Sequence, residues 1–100
     1  MKPKIVIDAG HGGEDPGTIA NGIIEKDINL LISQYLKKRF DELGIESSLT
    51  RNEDITLSPD KRPQVVQSFY GNGKDVILLS NHINAGGADG QSVTNIKYNN

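Results

Sequence analysis

Apolar and polar positions fall along this chain in blocks that predict a short series of strands and helices. Ile5-Val6-Ile7 is an unbroken β-branched run without helical spacing, which predicts a strand buried on both faces. The run stops at Asp8 and enters Ala9-Gly10-His11-Gly12-Gly13, a loop whose glycines permit positive φ and close backbone approach. Glu14 to Gly22 is a stretch of turn formers that predicts no regular structure. A helix is expected from about Glu25 to Gly44, with Ile28, Leu31, Ile32, Tyr35, Leu36, Phe40 and Leu43 forming one buried stripe. Glu25 and Asp27 in its first turn and Lys37, Lys38 and Arg39 in its second half suit the helix dipole.

Ile45 to Arg51 predicts a second strand, weakened by Ser47 and Ser48. Ser58-Pro59-Asp60 reads as an N-cap with proline at the first helical position. The helix it opens should turn Val65, Val66 and Phe69 inward, with Pro63 favouring a later start, and Gly71-Asn72-Gly73 should end it. Asp75 to Ser80 is a third buried strand, and a loop from Asn81 to Gly87 is expected after it. Beyond Asp89 the pattern thins to an edge strand over 91–100.

Strand, glycine-rich loop, helix, strand, helix, strand predicts an α/β fold: an open, mostly parallel twisted sheet of three or four strands with helices on both faces. Residues 1–100 form one domain at most. A net charge of −2 leaves no electrostatic footprint for nucleic acid. The absence of cysteine removes disulfides and thiolate metal sites. No apolar run approaches the length of a membrane span, and Met1-Lys2-Pro3-Lys4 leads into strand without a signal peptide. The expectation is synthesis in the cytoplasm, without membrane or nucleic-acid partners.

The candidate chemistry rests on the two histidines, each of which follows a predicted buried parallel strand. For His11 and His82 to meet, the first and third strands must be neighbours. The strand order 2-1-3 achieves this with two right-handed crossovers. The crevice between those strands is then a topological switch point, where open sheets bind ligands. Glu25 starts the helix that leaves the same edge, so two imidazoles and one carboxylate would converge. Two histidines and a carboxylate with an open fourth position is a ligand set of catalytic zinc, and such a site suits hydrolysis.

Each position also has a structural alternative. His82 alone reads as a satisfied loop histidine, and Glu25 as a carboxylate serving the helix dipole. Asp8, Glu14 and Asp15 compete as oxygen ligands, and Asp8 is a candidate to orient an imidazole from behind. Asn84 is a candidate for bonding substrate or for capping the turn. Arg62 fits either a structural helix residue or a substrate-facing cation. The glycine loop could cradle a phosphate, although no P-loop lysine follows it.

Three segments together carry a resemblance. Ile5-Val6-Ile7-Asp8-Ala9-Gly10-His11-Gly12-Gly13 with Asp15-Pro16-Gly17 resembles the opening motif of the zinc-dependent N-acetylmuramoyl-L-alanine amidases of bacterial autolysins and phage endolysins. Gly22-Ile23-Ile24-Glu25-Lys26-Asp27-Ile28-Asn29-Leu30 is similar to that family's second motif, and Ser80-Asn81-His82-Ile83-Asn84-Ala85 to its third. The resemblance implies Zn2+ held by His11, Glu25 and His82. It also implies hydrolysis of the amide between N-acetylmuramic acid and L-alanine in peptidoglycan, after holin-mediated or other release to the wall.

The family's general acid–base glutamate lies well beyond the third motif, and Glu14, Glu42, Glu46 and Glu53 do not match it. The catalytic residue is therefore unassigned. The chain is expected to be the N-terminal portion of the catalytic domain, lacking the family's later strands and helices. The alternative is a non-catalytic zinc- or wall-binding form that associates with a longer chain, or with itself, through its open sheet edge.

Overall fold

The computed structural model describes residues 2–83 together with the backbone of residues 92–98. In chain order the elements are β1 (Lys4–Ala9), β2 (Ile19–Ala20), β3 (Ile23–Ile24), α1 (Glu25–Glu42), β4 (Ser47–Leu49), α2 (Lys61–Tyr70), β5 (Val76–Ile83) and β6 (Ser92–Tyr98). The main sheet has the order β4-β1-β5-β6. β1 pairs in parallel with β4 on one side and with β5 on the other, and β6 adds antiparallel to β5. The three α/β strands thus stand in the expected 2-1-3 order, in a sheet that is mostly parallel. Central placement explains the unbroken apolar run of β1: Val6, Ile7 and Ala9 are fully buried and Ile5 nearly so.

The two helices lie on opposite faces, as the alternation of strand side chains shows. On one face Val6, Val76 and Leu78 pack with Val66 and Tyr70 of α2. The Tyr70 hydroxyl meets the Ser48 hydroxyl at 2.8 Å on that face. On the other, the Asn81 amide donates to the Asn29 carbonyl of α1. Of the α2 residues expected to turn inward, Val66 is buried, Val65 is half-buried and Phe69 is exposed. Burying a side chain such as Val66 contributes about 1.5–3 kcal/mol. Pro63 is tolerated because it stands in the first turn of α2, where a missing N–H breaks no intrahelical bond. The turn entering this helix is closed by Ser58, whose carbonyl accepts from the N–H groups of Lys61 and Arg62.

Four expectations need correction. The buried row of α1 is Glu25, Asn29 and Ser33, whereas Leu31, Ile32, Tyr35 and Leu43 are exposed. Two of these polar side chains bond backbone groups at the strand ends: the Asn29 amide donates to the Gly10 carbonyl at 3.1 Å, and the Glu25 carboxylate accepts from the Ile83 N–H. The small Ser33 hydroxyl is buried without a partner among the described residues. The stretch expected to lack regular structure ends in a small hairpin, β2–β3, turned by Asn21 and Gly22 with φ of 53° and 77°. Asn-Gly is the dipeptide that such two-residue turns favour. The second strand shortens to Ser47–Leu49, although single hydrogen bonds from Ile5 to Glu46 and from Thr50 to Ile7 extend its pairing. Finally, β5 runs on to Ile83, so His82 stands within a strand rather than in the loop after it. Among the described residues no helix is long and apolar enough to cross a membrane.

Candidate metal centre

His11 leaves the C-terminal end of β1 in the left-handed region, with φ of 62°, a conformation uncommon for a residue with a side chain. Its Nδ1 lies 2.8 Å from Asp15 Oδ2. A carboxylate only accepts, so Nδ1 carries a hydrogen, and in the neutral ring Nε2 keeps its lone pair. That Nε2 lies 3.2 Å from Glu25 Oε2. His82, two residues along β5 from Ser80, brings its Nδ1 to 3.4 Å from the same oxygen. The two imidazoles stand edge to face with centroids 5.1 Å apart. His11, Glu25 and His82 offer one ligand atom each, all within 4.8 Å of one another.

Glu25 is almost fully buried at the start of α1, and its carboxylate is held on several sides. Oε1 accepts from the Thr18 N–H at 3.0 Å. Oε2 accepts from the Ile83 N–H at 3.1 Å and from the Asn29 amide at 3.3 Å. Burial pushes this carboxyl upward, but the Thr18, Asn29 and Ile83 donors and the nearby His11 outweigh it and hold it below its ordinary value. Asp15 is likewise lowered, first by its hydrogen bond with His11 and also by the Gly17 N–H, against a smaller effect of burial.

Two glycines make room for these side chains. A Cβ at Gly10 would land on the His82 ring. One at Gly17, where φ is 69°, would lie 2.7 Å from His11 Cδ2 and 2.8 Å from Glu25 Oε1. The loop between them is tied down from the other side. The Gly13 N–H donates to Asp54 Oδ1 at 2.7 Å, and Lys26 bridges Asp54 Oδ2 and the Gly13 carbonyl at 2.9 Å each.

The donor chemistry fits a borderline divalent ion such as zinc: two neutral imidazoles and one carboxylate, with no thiolate. With Nδ1–H of a neutral His11 committed to Asp15, its Nε2 and Glu25 Oε2 would oppose lone pair to lone pair at 3.2 Å. That arrangement is favourable only with a cation or a proton between them. A cavity of about 630 Å³ opens beside both histidines, walled by Arg62 and Val66 of α2 and by Leu78 and Ser80 of β5. Its size falls in the range of small-molecule sites.

Of the residues read from sequence, His11, Glu25 and His82 come together. Asp8 does not orient an imidazole. Its oxygens are taken by Thr50 and Ser80 hydroxyls at 2.9 Å and by the Arg62 guanidinium, because its side chain points to the α2 face of β1. The orienting carboxylate is Asp15, which the sequence reading weighed only as a rival ligand. Its signal was a place four residues beyond His11 after a tight glycine turn. Glu14 lies outside the cluster and is exposed. Asn84 lies outside the described residues. Arg62 binds the Asp8 carboxylate and the carbonyls of Ala9, His11 and Leu57, so its role is to brace the end of β1.

Fold and site together define an α/β domain with a candidate divalent-metal centre at the carboxyl ends of its parallel strands. The chain belongs to the N-acetylmuramoyl-L-alanine amidase family, whose profile matches residues 5–99. It is 39% identical over 82 residues to the Bacillus subtilis protein YqiI, covering 82% of this chain and 38% of that one. To the sporulation-specific N-acetylmuramoyl-L-alanine amidase of B. subtilis it is 37% identical over 89 residues, covering 87% and 33%. Among solved structures, the N-acetylmuramoyl-L-alanine amidase AmiC2 of Nostoc punctiforme superposes with a TM-score of 0.71 and 29% identity, over 84% of this chain and 45% of that one. The chain therefore spans less than half the length of these relatives.

Proposed function

We propose that residues 1–100 form the N-terminal, zinc-binding portion of a peptidoglycan amidase domain, acting at the bond between N-acetylmuramic acid and L-alanine. The observation that carries this reading is the meeting of His11, Glu25 and His82 around one small volume, with Asp15 fixing the tautomer that leaves His11 Nε2 free to ligate. Family membership supplies the substrate class.

Zinc bound there would polarise the scissile carbonyl and bring the pKa of a water to about 7. The remaining work falls to the chain. Asp15 accepts a hydrogen bond from His11 Nδ1–H and stiffens the ring. Thr18, Asn29 and Ile83 keep the Glu25 carboxylate ionised and aimed. The cavity beside α2 gives a muramyl peptide a place to lie against the histidines. The proton for the leaving amine comes, on the family resemblance, from a glutamate that Glu14, Glu42, Glu46 and Glu53 do not provide. Losing such a group typically costs about 10²–10⁴-fold in rate.

The test is release of L-alanine-terminated peptide from purified muropeptides, with zinc and with chelator, by this chain and by a form extended to the length of its relatives. Zinc-dependent release by the extended form, lost on changing His11 or His82 to alanine, is the expected result. Chelator-resistant release, or none from either form, would refute the assignment. Release by the 100-residue chain itself would dismiss the non-catalytic alternative.

A further inference from the structure

Arg51 is only 2% exposed, and none of the ion pairs among the described residues involves it. A buried guanidinium without a carboxylate is costly unless dipoles replace its water. Here they do. Nε donates to the Ala9 carbonyl at 3.2 Å and Nη1 to the Glu53 carbonyl at 3.1 Å. Nη2 donates at 3.0 Å to both the Gly10 and the Lys26 carbonyls. Gly10 immediately precedes His11, and Lys26 immediately follows Glu25. One nitrogen therefore ties together the backbone beside two of the three candidate ligands.

Arg62 approaches the same strand end from α2. It donates to the Ala9 carbonyl at 2.9 Å and to the His11 carbonyl at 3.2 Å. Between them the two arginines occupy three successive carbonyls, Ala9, Gly10 and His11, where the backbone turns into the left-handed region at His11. The pairing of β1 with β5 ends with the Gly10 N–H on the Asn81 carbonyl, and beyond it the His11 carbonyl is held by Arg62.

We propose that Arg51, seconded by Arg62, is a positioning residue of the metal centre: its planar fork sets the spacing between His11 and Glu25 before any ion arrives. A lysine keeps the charge but cannot span the Gly10 and Lys26 carbonyls together with those of Ala9 and Glu53. Geometry rather than charge is what the site draws from Arg51. The proposal rests on the metal-site reading above.

The experiment measures Co2+ affinity and the ligand-field spectrum of the cobalt-loaded 100-residue chain for the parent, Arg51→Lys, Arg62→Lys, His11→Ala and a remote core control, Val76→Ala. Near-UV circular dichroism and thermal melts with chelator report the fold. The two arginine variants should keep a native spectrum yet bind Co2+ about 10–100-fold more weakly, the range for groups that orient metal ligands, with a shifted ligand field. Val76→Ala should lose stability without losing affinity. A folded Arg51→Lys or Arg62→Lys with parental affinity and spectrum would overturn the proposal. So would loss of the native fold in both, which would assign the arginines to the fold alone. A parent that binds no Co2+, or binds it equally after His11→Ala, would instead overturn the metal reading on which the proposal stands.

Discussion

Adding one methyl group at Gly10 should disable the metal centre while leaving the sheet standing. A Cβ there would lie 2.8 Å from His82 Nε2, with Cε1 and Nδ1 nearer still. Ordinary non-bonded contact is about 3.5–4.0 Å, so the ring must withdraw by roughly 1 Å. It has somewhere to go, since the His82 side chain is 36% exposed. Gly10 is not among the glycines with positive φ, so alanine meets no backbone penalty. The fold should lose about 1–3 kcal/mol from overpacking, offset by about 0.4–1 kcal/mol from the less free unfolded chain. The site loses a ligand. Changes that only disturb ligand orientation cost about 10–100-fold in affinity, so Gly10→Ala should exceed about 100-fold.

Competition with a chromogenic zinc chelator measures this directly, with circular dichroism to confirm the fold. Gly71→Ala is the control. Its φ is 73° and nothing lies within 4 Å of the added Cβ, so it should cost about 1–3 kcal/mol in backbone strain and leave affinity unchanged. A folded Gly10→Ala that keeps zinc affinity within about threefold of the parent, well short of the effect even of a displaced orienting group, would refute the reasoning.

Three other outcomes follow from the same geometry. Asp15→Asn should fold normally and weaken zinc binding about 10–100-fold, because an amide no longer enforces the Nδ1–H tautomer of His11; isothermal titration checks it. Asp15, Glu25 and Asp54 are all held below their ordinary values, Asp54 chiefly by its hydrogen bond to Lys26. Their contribution to stability is therefore complete above the ordinary carboxylate range of about 4 and is lost as pH falls through the lowered values. Denaturant unfolding with chelator should show a plateau above about pH 5 and a decline below about pH 4, with a shallower decline in Asp54→Asn. Tyr70→Phe should cost about 0.5–1.5 kcal/mol by leaving Ser48 without its partner, and should not change zinc affinity.

The convergence of the three candidate ligands was legible in the sequence because topology alone brings them together: His11 after β1, Glu25 at the first position of α1, His82 near the end of β5. An unbroken β-branched run marks a central strand, and the position of a central strand dictates its neighbours. What stayed hidden depends on side chains reaching across segments. Arg51 follows a weak strand in a polar context, and nothing in its neighbourhood announces that Ala9, Gly10, Lys26 and Glu53 will offer it four carbonyls. Asp8 looked like an orienting carboxylate because of its place at a strand end, but strand alternation turns it to the α2 face, where Arg62 meets it. The apolar stripe of α1 misled for a related reason. Hydrophobic spacing locates a helix well, whereas the row facing the sheet carries the hydrogen bonds that Glu25 accepts from the Ile83 N–H and that Asn29 donates to the Gly10 carbonyl.

The most direct test is metal analysis combined with X-ray absorption on the purified, folded chain after zinc loading and dialysis. One zinc per chain is expected, with two imidazole nitrogens and a carboxylate oxygen in its coordination shell, lost in His11→Ala and His82→Ala and retained in Glu14→Ala. Zinc bound equally by all three variants, or a shell without histidine, would contradict it.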